Sequence, residues 1–219
     1  PLRYSKEEVE NVGELVTDTK ILLSGNATEE NFKAEANESQ VIHLSTHSFL
    51  HNDKPFIIFS KNQSNVEDGF LEMSEILNLK LTADLVVLSS CRSGLGNIDE
   101  AEGIIGMQKS FYEAGAKSIV VSLWDVNDKY TSLFMKSFYE YLSKGYDKSE
   151  ALQKAKIYFK NNYSANPYYW APFVLSGNIS KLELGKPVNH SLFILLGIIV
   201  AVIILSSILY KRFYIRKIA

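Results

Sequence analysis

The chain has 219 residues, a formal net charge of −2 and a hydrophobic fraction of 46%. A charge this close to zero, with both signs mixed, disfavours an electrostatically driven nucleic-acid binder, which would carry a basic stripe. A single cysteine excludes an internal disulfide, and a first residue other than Met predicts that the sequence was cut from a longer protein.

Short apolar runs alternate with longer amphipathic stretches up to about residue 178. In chain order, we predict a strand at 21–23, a helix at 28–36, strands at 41–44, 56–59 and 70–71, a helix from about 74, a strand at 85–88, a helix at 104–114, a strand at 119–123, helices at 130–142 and 149–159, and a strand at 170–176. The run at 85–88 is wholly apolar, as expected of a central parallel strand covered on both faces. This alternation predicts the α/β class, with a mostly parallel sheet between helices.

The C-terminal region predicts a membrane anchor. Residues 191–210 contain no charged residue and, at about 1.5 Å per residue, would span a hydrocarbon core of roughly 30 Å. Four cations follow within a basic tail at residues 211–219, and residues 179–190 are predicted to be the juxtamembrane linker. We therefore expect single-pass membrane localisation, with the lipid bilayer as a partner. The basic excess after the helix favours placing the preceding domain outside the cytoplasm.

Two residues with reactive side chains follow predicted strands. His47 comes shortly after the strand at 41–44, and Cys91 comes shortly after the strand at 85–88. Since active sites of open α/β sheets gather beyond the carboxyl ends of the strands, these side chains are candidates for a base and a thiol nucleophile. From position alone, a buried cysteine and a structural histidine remain the more common interpretation.

Other chemistries are disfavoured by the same sequence. His43 and His47 are four residues apart across a strand end, without an accompanying Cys or Glu, so zinc binding is disfavoured. Gly94 and Gly96 lack the remainder of a phosphate-binding loop. No Gly-x-Ser-x-Gly elbow surrounds Ser90. We expect no cofactor and no metal.

Longer segments carry a family resemblance. They read Ile-His-Leu-Ser-Thr-His ending at His47, Val-Leu-Ser-Ser-Cys-Arg-Ser-Gly around Cys91, Glu-Gly-Ile-Ile-Gly and Phe-Tyr-Glu-Ala-Gly-Ala-Lys-Ser within 102–118, Ser-Leu-Trp-Asp-Val-Asn-Asp at 122–128, and Asn-Pro-Tyr-Tyr-Trp-Ala-Pro-Phe-Val-Leu-Ser-Gly at 166–177. Together they resemble the CHAT family, a group of caspase-like peptidases often fused behind tetratricopeptide repeats. The resemblance covers residues 1–178 and implies a caspase-like fold.

The resemblance also implies site residues. A catalytic dyad falls on His47 and Cys91, and the backbone amides of Ser48 and Cys91 fall where the family binds the oxyanion. The family usually carries glycine after the histidine, so Ser48 would be strained if that position required a conformation that only glycine tolerates.

Four charged residues are candidates for the rim or base of a substrate pocket: Glu102, Arg92, Asp125 and Asp128. Related peptidases often cut after basic residues, which an acidic pocket would bind. For the acids, a solvated charge or a helix N-cap is the competing interpretation, and Asn127 and Asp128 do precede a predicted helix.

The resulting hypothesis is a membrane-anchored cysteine endopeptidase that cleaves a protein partner and is regulated by upstream tetratricopeptide repeats or another sensor domain. The alternative is a catalytically weak or inactive caspase-like interaction module at the membrane. Ser48 favours the alternative, and the presence of both His47 and Cys91 favours the enzyme.

Overall fold

The computed structural model describes residues 2–51, 54–61, 67–89 and 98–184. Its helices are α1 Ser5–Gly13, α2 Glu29–Ala36, α3 Met73–Ile76, α4 Ile98–Glu113, α5 Asp128–Ser143 and α6 Lys148–Asn162. Its strands are β1 Val41–Leu44, β2 Ser48–His51, β3 Lys54–Ile58, β4 Phe70–Glu72, β5 Leu85–Leu88, β6 Ser118–Ser122 and β7 Phe173–Gly177.

The strands form two sheets. The central sheet has the order β1-β5-β6-β7, with β1, β5 and β6 parallel and β7 antiparallel to β6. The second sheet is antiparallel and has the order β2-β3-β4. The carboxyl ends of β1, β5 and β6 therefore lie along one edge of the central sheet.

A separate hydrophobic core covers each face of the central sheet. Along β5, Val86 and Leu88 belong to one core, together with residues of α2, α3 and α4. Leu85 and Val87 belong to the other core, with residues of α1, α5 and α6. The four-residue apolar run is thus explained by burial on both faces, as the sequence predicts for a central parallel strand.

Local signals set several helix ends where the sequence predicts them. The Thr28 side chain accepts a hydrogen bond from the amide of Asn31 at the start of α2. Gly115 follows α4 with a φ of 117°, and a Cβ at this position would lie 2.3 Å from the carbonyl oxygen of Leu81. Glycine is required there by both conformation and space.

The α/β class and the mostly parallel central sheet are confirmed, whereas one predicted element is wrong. Residues 21–23 form no strand; they lead into a short 3-10 turn at Ser24–Asn26, and Ile21 is 39% exposed. Two elements were not predicted, namely α1 and the strand β2 that follows His47 directly.

The predicted membrane localisation requires a correction. None of the helices within the described residues is long and apolar enough to cross a bilayer. The longest of them, α4 and α5, have 16 residues each, against roughly 20 apolar residues for a span, and both carry charged residues. Single-pass membrane localisation is therefore not supported.

The chain divides into two compact units, Pro1–Gly185 and Lys186–Ala219. The predicted span at 191–210 and basic tail at 211–219 fall in the second unit and lie outside the described residues.

Candidate active site

The register between β1 and β5 ends both strands at the same level of the central sheet. Leu44 pairs with Leu88, and Leu44 accepts hydrogen bonds on its carbonyl oxygen from Ser89 N at 3.2 Å and Ser89 Oγ at 3.3 Å. His47 follows Leu44 by three residues, and Cys91 follows Leu88 by three residues. His47 is described, whereas Cys91 lies outside the described residues.

His47 is held at the junction between β1 and β2. Its carbonyl oxygen accepts a hydrogen bond from the amide of Ile58 at 2.9 Å, and the hydroxyl of Thr46 donates to the carbonyl of Ile58 at 2.6 Å. The imidazole is partly exposed, with a buried Nδ1 atom. Strand β3 therefore fixes the backbone that presents this histidine at the sheet edge.

Ser48 begins β2 in an ordinary extended conformation. It pairs with Ile57 of β3, and Asp18 and Ser24 are the non-glycine residues with positive φ among those the structure describes. The strain expected from replacing a glycine at this position is therefore absent, because Ser48 does not adopt a left-handed backbone.

His43 points away from this edge and belongs to a buried polar chain. Its Nε2 lies 2.8 Å from a carboxylate oxygen of Glu8, and its Nδ1 lies 3.1 Å from the hydroxyl of Tyr139. Glu8 and Tyr139 are fully buried. Burial raises the pKa of Tyr139, and the nearby charge of Glu8 raises it further. His43 therefore ties α1 and α5 to β1. The sequence carried no signal for this, because Glu8 lies within a charged stretch.

Asp125 lies on the exposed loop after β6, at the same edge of the sheet. Its carbonyl oxygen accepts a hydrogen bond from the hydroxyl of Tyr168 at 2.8 Å, and Trp124 Nε1 donates to the carbonyl of Tyr168 at 3.0 Å. Trp124 is 36% exposed and Tyr168 is 51% exposed. Sequence reasoning did not select these two aromatic residues, although both fall within family-like segments.

Asp128 is bound to the N-terminal segment. One of its carboxylate oxygens accepts a hydrogen bond from the amide of Tyr4 at 2.7 Å, and its other oxygen is buried. Asn127, next to it, caps α5 by accepting from the amide of Lys129 at 3.1 Å. These contacts agree with the helix-cap interpretation of the pair. The side chains of Glu102 and Arg92 lie outside the described residues.

One cluster of acids has the geometry of a cation site. Ligand atoms of Glu29, Glu67 and Glu75 lie within 4.8 Å of one another. Lys33 already places its ammonium among them, at 2.7, 3.0 and 2.8 Å from the three carboxylates. Burial alone would lower the pKa of Lys33, but hydrogen bonds to the three acids outweigh burial and raise the pKa overall. An internal ammonium thus fills the position of a metal ion.

These features define an α/β domain whose central sheet carries a histidine at its carboxyl edge. The CHAT domain model matches residues 1–178, so the chain belongs to the CHAT family, and the resemblance predicted from the sequence is confirmed. The chain is similar to tetratricopeptide repeat protein 28 of Mus musculus, with 33% identity over 114 residues, or 52% of the chain. It is also similar to the Homo sapiens protein of the same name, with 27% identity over 221 residues, or 84% of the chain. The matches cover 5% and 9% of the lengths of these relatives.

Proposed function

We propose that the domain is a cysteine peptidase in which His47 and Cys91 form the catalytic dyad for cleavage of a protein substrate. The observation that carries this proposal is the pairing of Leu44 with Leu88, because each candidate residue follows its strand by the same three residues. Neighbouring strands lie roughly 4.8 Å apart, so equal extensions from paired positions favour close approach of a thiol and an imidazole.

Cleavage of a peptide bond would use the thiol of Cys91 and the imidazole of His47 in successive steps. The Cys91 thiolate attacks the scissile carbonyl carbon while the His47 imidazolium retains the proton taken from the thiol. The C–N bond then breaks as His47 donates that proton to the leaving amine. Water, deprotonated by His47, hydrolyses the thioester, and the proton returns to the Cys91 sulfur. No metal or redox partner is needed for this balance.

The oxyanion formed during attack needs backbone donors. Ser48 supports this role because its extended conformation, in register with Ile57, is that of an ordinary strand residue. The conformational reason for favouring an inactive interaction module therefore does not apply to Ser48. The amide of Cys91 is proposed as the second donor.

The partners are proposed from chemistry and from the relatives. Asp125, on the loop after β6 and therefore on the strand next to β5, is the candidate acid for a substrate residue with a positive charge before the scissile bond. The relatives' names mention tetratricopeptide repeats, and we propose that such repeats precede this domain in its full-length protein and regulate it.

Covalent labelling of the 219-residue chain tests the dyad. Two acyloxymethyl ketone peptides, one with arginine and one with aspartate next to the electrophile, are incubated with the protein and followed by intact mass. We expect one adduct, formed faster with arginine, that is lost in Cys91→Ala because this is the sole cysteine. His47→Ala should slow labelling by about 100-fold or more, as for loss of a general base.

His190→Ala serves as the control, since it removes a histidine far from the dyad in sequence and should label at the wild-type rate. Labelling of wild type no faster than that of free cysteine, or labelling undiminished in His47→Ala, would reject the dyad.

A further inference from the structure

The hydrogen bonds of the β2–β3 pair determine which backbone groups face outward. In an antiparallel pair, hydrogen-bonded and non-hydrogen-bonded residue pairs alternate. The amide of Ile58 donates to the carbonyl of His47 at 2.9 Å, which makes this a hydrogen-bonded pair. Ser48 and Ile57 are the next pair along the ladder and are therefore non-hydrogen-bonded. The amide and carbonyl of Ser48 consequently point away from β3.

The hydrogen bonds between β3 and β4 lead to the same orientation of the Ser48 backbone. The amide of Phe59 donates to the carbonyl of Gly69 at 2.8 Å, and Ile57 lies two residues away on β3, opposite Leu71. Because alternate residues of a strand bond to opposite neighbours, Ile57 bonds towards β4 rather than β2. Two independent hydrogen bonds thus assign the outward direction to Ser48.

Leu50 repeats this arrangement two residues further along. It pairs with Pro55, which has no amide hydrogen and cannot donate to β2. The pair alternates with the hydrogen-bonded Phe49–Phe56 pair, so the amide and carbonyl of Leu50 also point outward. Within the described ranges, no strand pairs with this outer edge of β2.

The role of the histidine in the dyad indicates in which direction a substrate would run along the outer edge of β2. A histidine that protonates the leaving amine must lie on the side of the scissile bond where the leaving segment begins. β2 starts at Ser48, directly after His47, and belongs to the second sheet rather than the central one. The strand that begins at the histidine is therefore the candidate neighbour of the leaving segment.

We propose that the outer edge of β2 binds the substrate segment that follows the scissile bond, as an added parallel strand. This proposal rests on the peptidase function proposed above. The amide of Ser48 donates to the scissile carbonyl oxygen, and its carbonyl accepts from the amide of the second residue after the bond. The amide of Leu50 then donates to the carbonyl of that second residue, following the spacing of a parallel ladder.

This geometry defines the class of substrate. The enzyme requires an extended, unpaired segment of about four residues after the scissile bond, because Leu50 also accepts from the fourth residue. Proline is excluded at the second and fourth residues after the bond, since it lacks the amide hydrogen that the Ser48 and Leu50 carbonyls need. Helical or sheet-bound segments are not substrates until they unfold locally.

The test compares two substrates of the full 219-residue chain that share four residues ending in arginine. One carries aminomethylcoumarin directly after the arginine, and the other is an internally quenched peptide with five alanine-rich residues there. Leu50→Pro removes only an outward amide, which an edge strand tolerates. We expect the ratio of kcat/KM between the long and short substrates to fall about fivefold to tenfold, the effect of one hydrogen bond. The short substrate places no backbone beside Leu50, so its kcat/KM corrects each protein for any change at the dyad.

A change on the substrate tests the same edge without altering the protein. N-methylation of the second residue after the scissile bond should lower kcat/KM for wild type by about tenfold, whereas N-methylation of the third residue, whose amide points away from β2, should have much less effect. An unchanged ratio in Leu50→Pro together with equal effects of the two methylations would overturn the β2 proposal while leaving the dyad intact. Cleavage of neither substrate by wild type would instead reject the peptidase function itself.

Discussion

Two histidines four residues apart have separate roles at the scale of the residue. His43 is engaged on both ring nitrogens, by Glu8 and by Tyr139, and it contributes to packing between α1, β1 and α5. His47 lies past the end of β1, where the backbone is fixed by β3. The motif thus combines one histidine that joins α1 and α5 to β1 with one that lies past the carboxyl end of β1.

The buried chain through His43 makes Glu8 a strong stability determinant. Glu8 is fully buried, and Glu8→Ala leaves His43 Nε2 without the carboxylate oxygen that lies 2.8 Å from it. We expect a loss of about 3 kcal/mol in the free energy of unfolding, measured by urea titration. Glu7→Ala, on the exposed side of the same helix, should cost less than about 1 kcal/mol. Equal effects of the two substitutions would contradict this role for Glu8.

At the scale of the element, the strands buried on both faces were predictable, whereas α1 and β2 were not. The runs forming β5 and β6 are apolar throughout, which is the pattern of a central parallel strand. α1 was missed because its anchor is a carboxylate, Glu8, which a search for apolar periodicity treats as a surface residue. β2 was missed because Ser-Phe-Leu-His holds only two apolar residues between polar ends, whereas the four residues of β5 are all apolar.

The first turn of α6 contains a buried cation in an unfavourable position. Lys148 is 2% exposed, and its ammonium donates to the carbonyl of Asp84 at 3.0 Å. Burial lowers the pKa of Lys148, with a further lowering from Lys117 that the charge of Asp84 opposes. The helix N-terminus also disfavours a positive charge. Ser118 donates to the same carbonyl at 2.5 Å, so this acceptor stays satisfied without Lys148.

Lys148→Met should therefore leave the free energy of unfolding at pH 7 unchanged or raise it by about 1 kcal/mol. Because the pKa of Lys148 is below its usual 10.5 in the folded state, the unfolded chain binds more protons between the two values. In wild type, the contribution of Lys148 to the free energy of unfolding therefore rises as the pH approaches 10.5. This pH dependence should disappear in Lys148→Met. Urea titrations at pH 7 and pH 9.5 measure both effects.

The exposed Lys160 on the same helix provides the control, and Lys160→Met should change the free energy of unfolding by less than about 0.5 kcal/mol at both pH values. If Lys148→Met lowered the free energy of unfolding at pH 7 by more than about 1 kcal/mol, the hydrogen bond from Lys148 to the Asp84 carbonyl would outweigh the cost of burial.

At the scale of the whole molecule, the sheet edge organises the candidate site. His47 follows β1 and the Asp125 loop follows β6, at the carboxyl ends of parallel strands on either side of β5, and β2 begins directly after His47. The sequence predicted where β1 and β5 end, since strand ends can be located from apolar runs. It did not predict that the backbone amides and carbonyls of Ser48 and Leu50 point away from β3, because that depends on how β2 pairs with β3.

The prediction of a membrane span rested on one uncharged apolar run and the cations that follow it, and the described helices do not support it. Membership of the CHAT family, by contrast, rested on several segments in order along the chain and is confirmed over residues 1–178. Ordered motifs constrain a fold at many points, whereas a single apolar run constrains only local burial.

The most direct test of the central claim is the pH dependence of alkylation of Cys91, which iodoacetamide reports without ambiguity because the chain has one cysteine. If His47 activates the thiol, the wild-type rate should follow an apparent pKa well below the ordinary value of about 8.5, and at pH 6 it should exceed the rate of His47→Ala by about tenfold or more. Identical profiles for the two proteins, both with an apparent pKa of about 8.5 or above, would contradict the dyad.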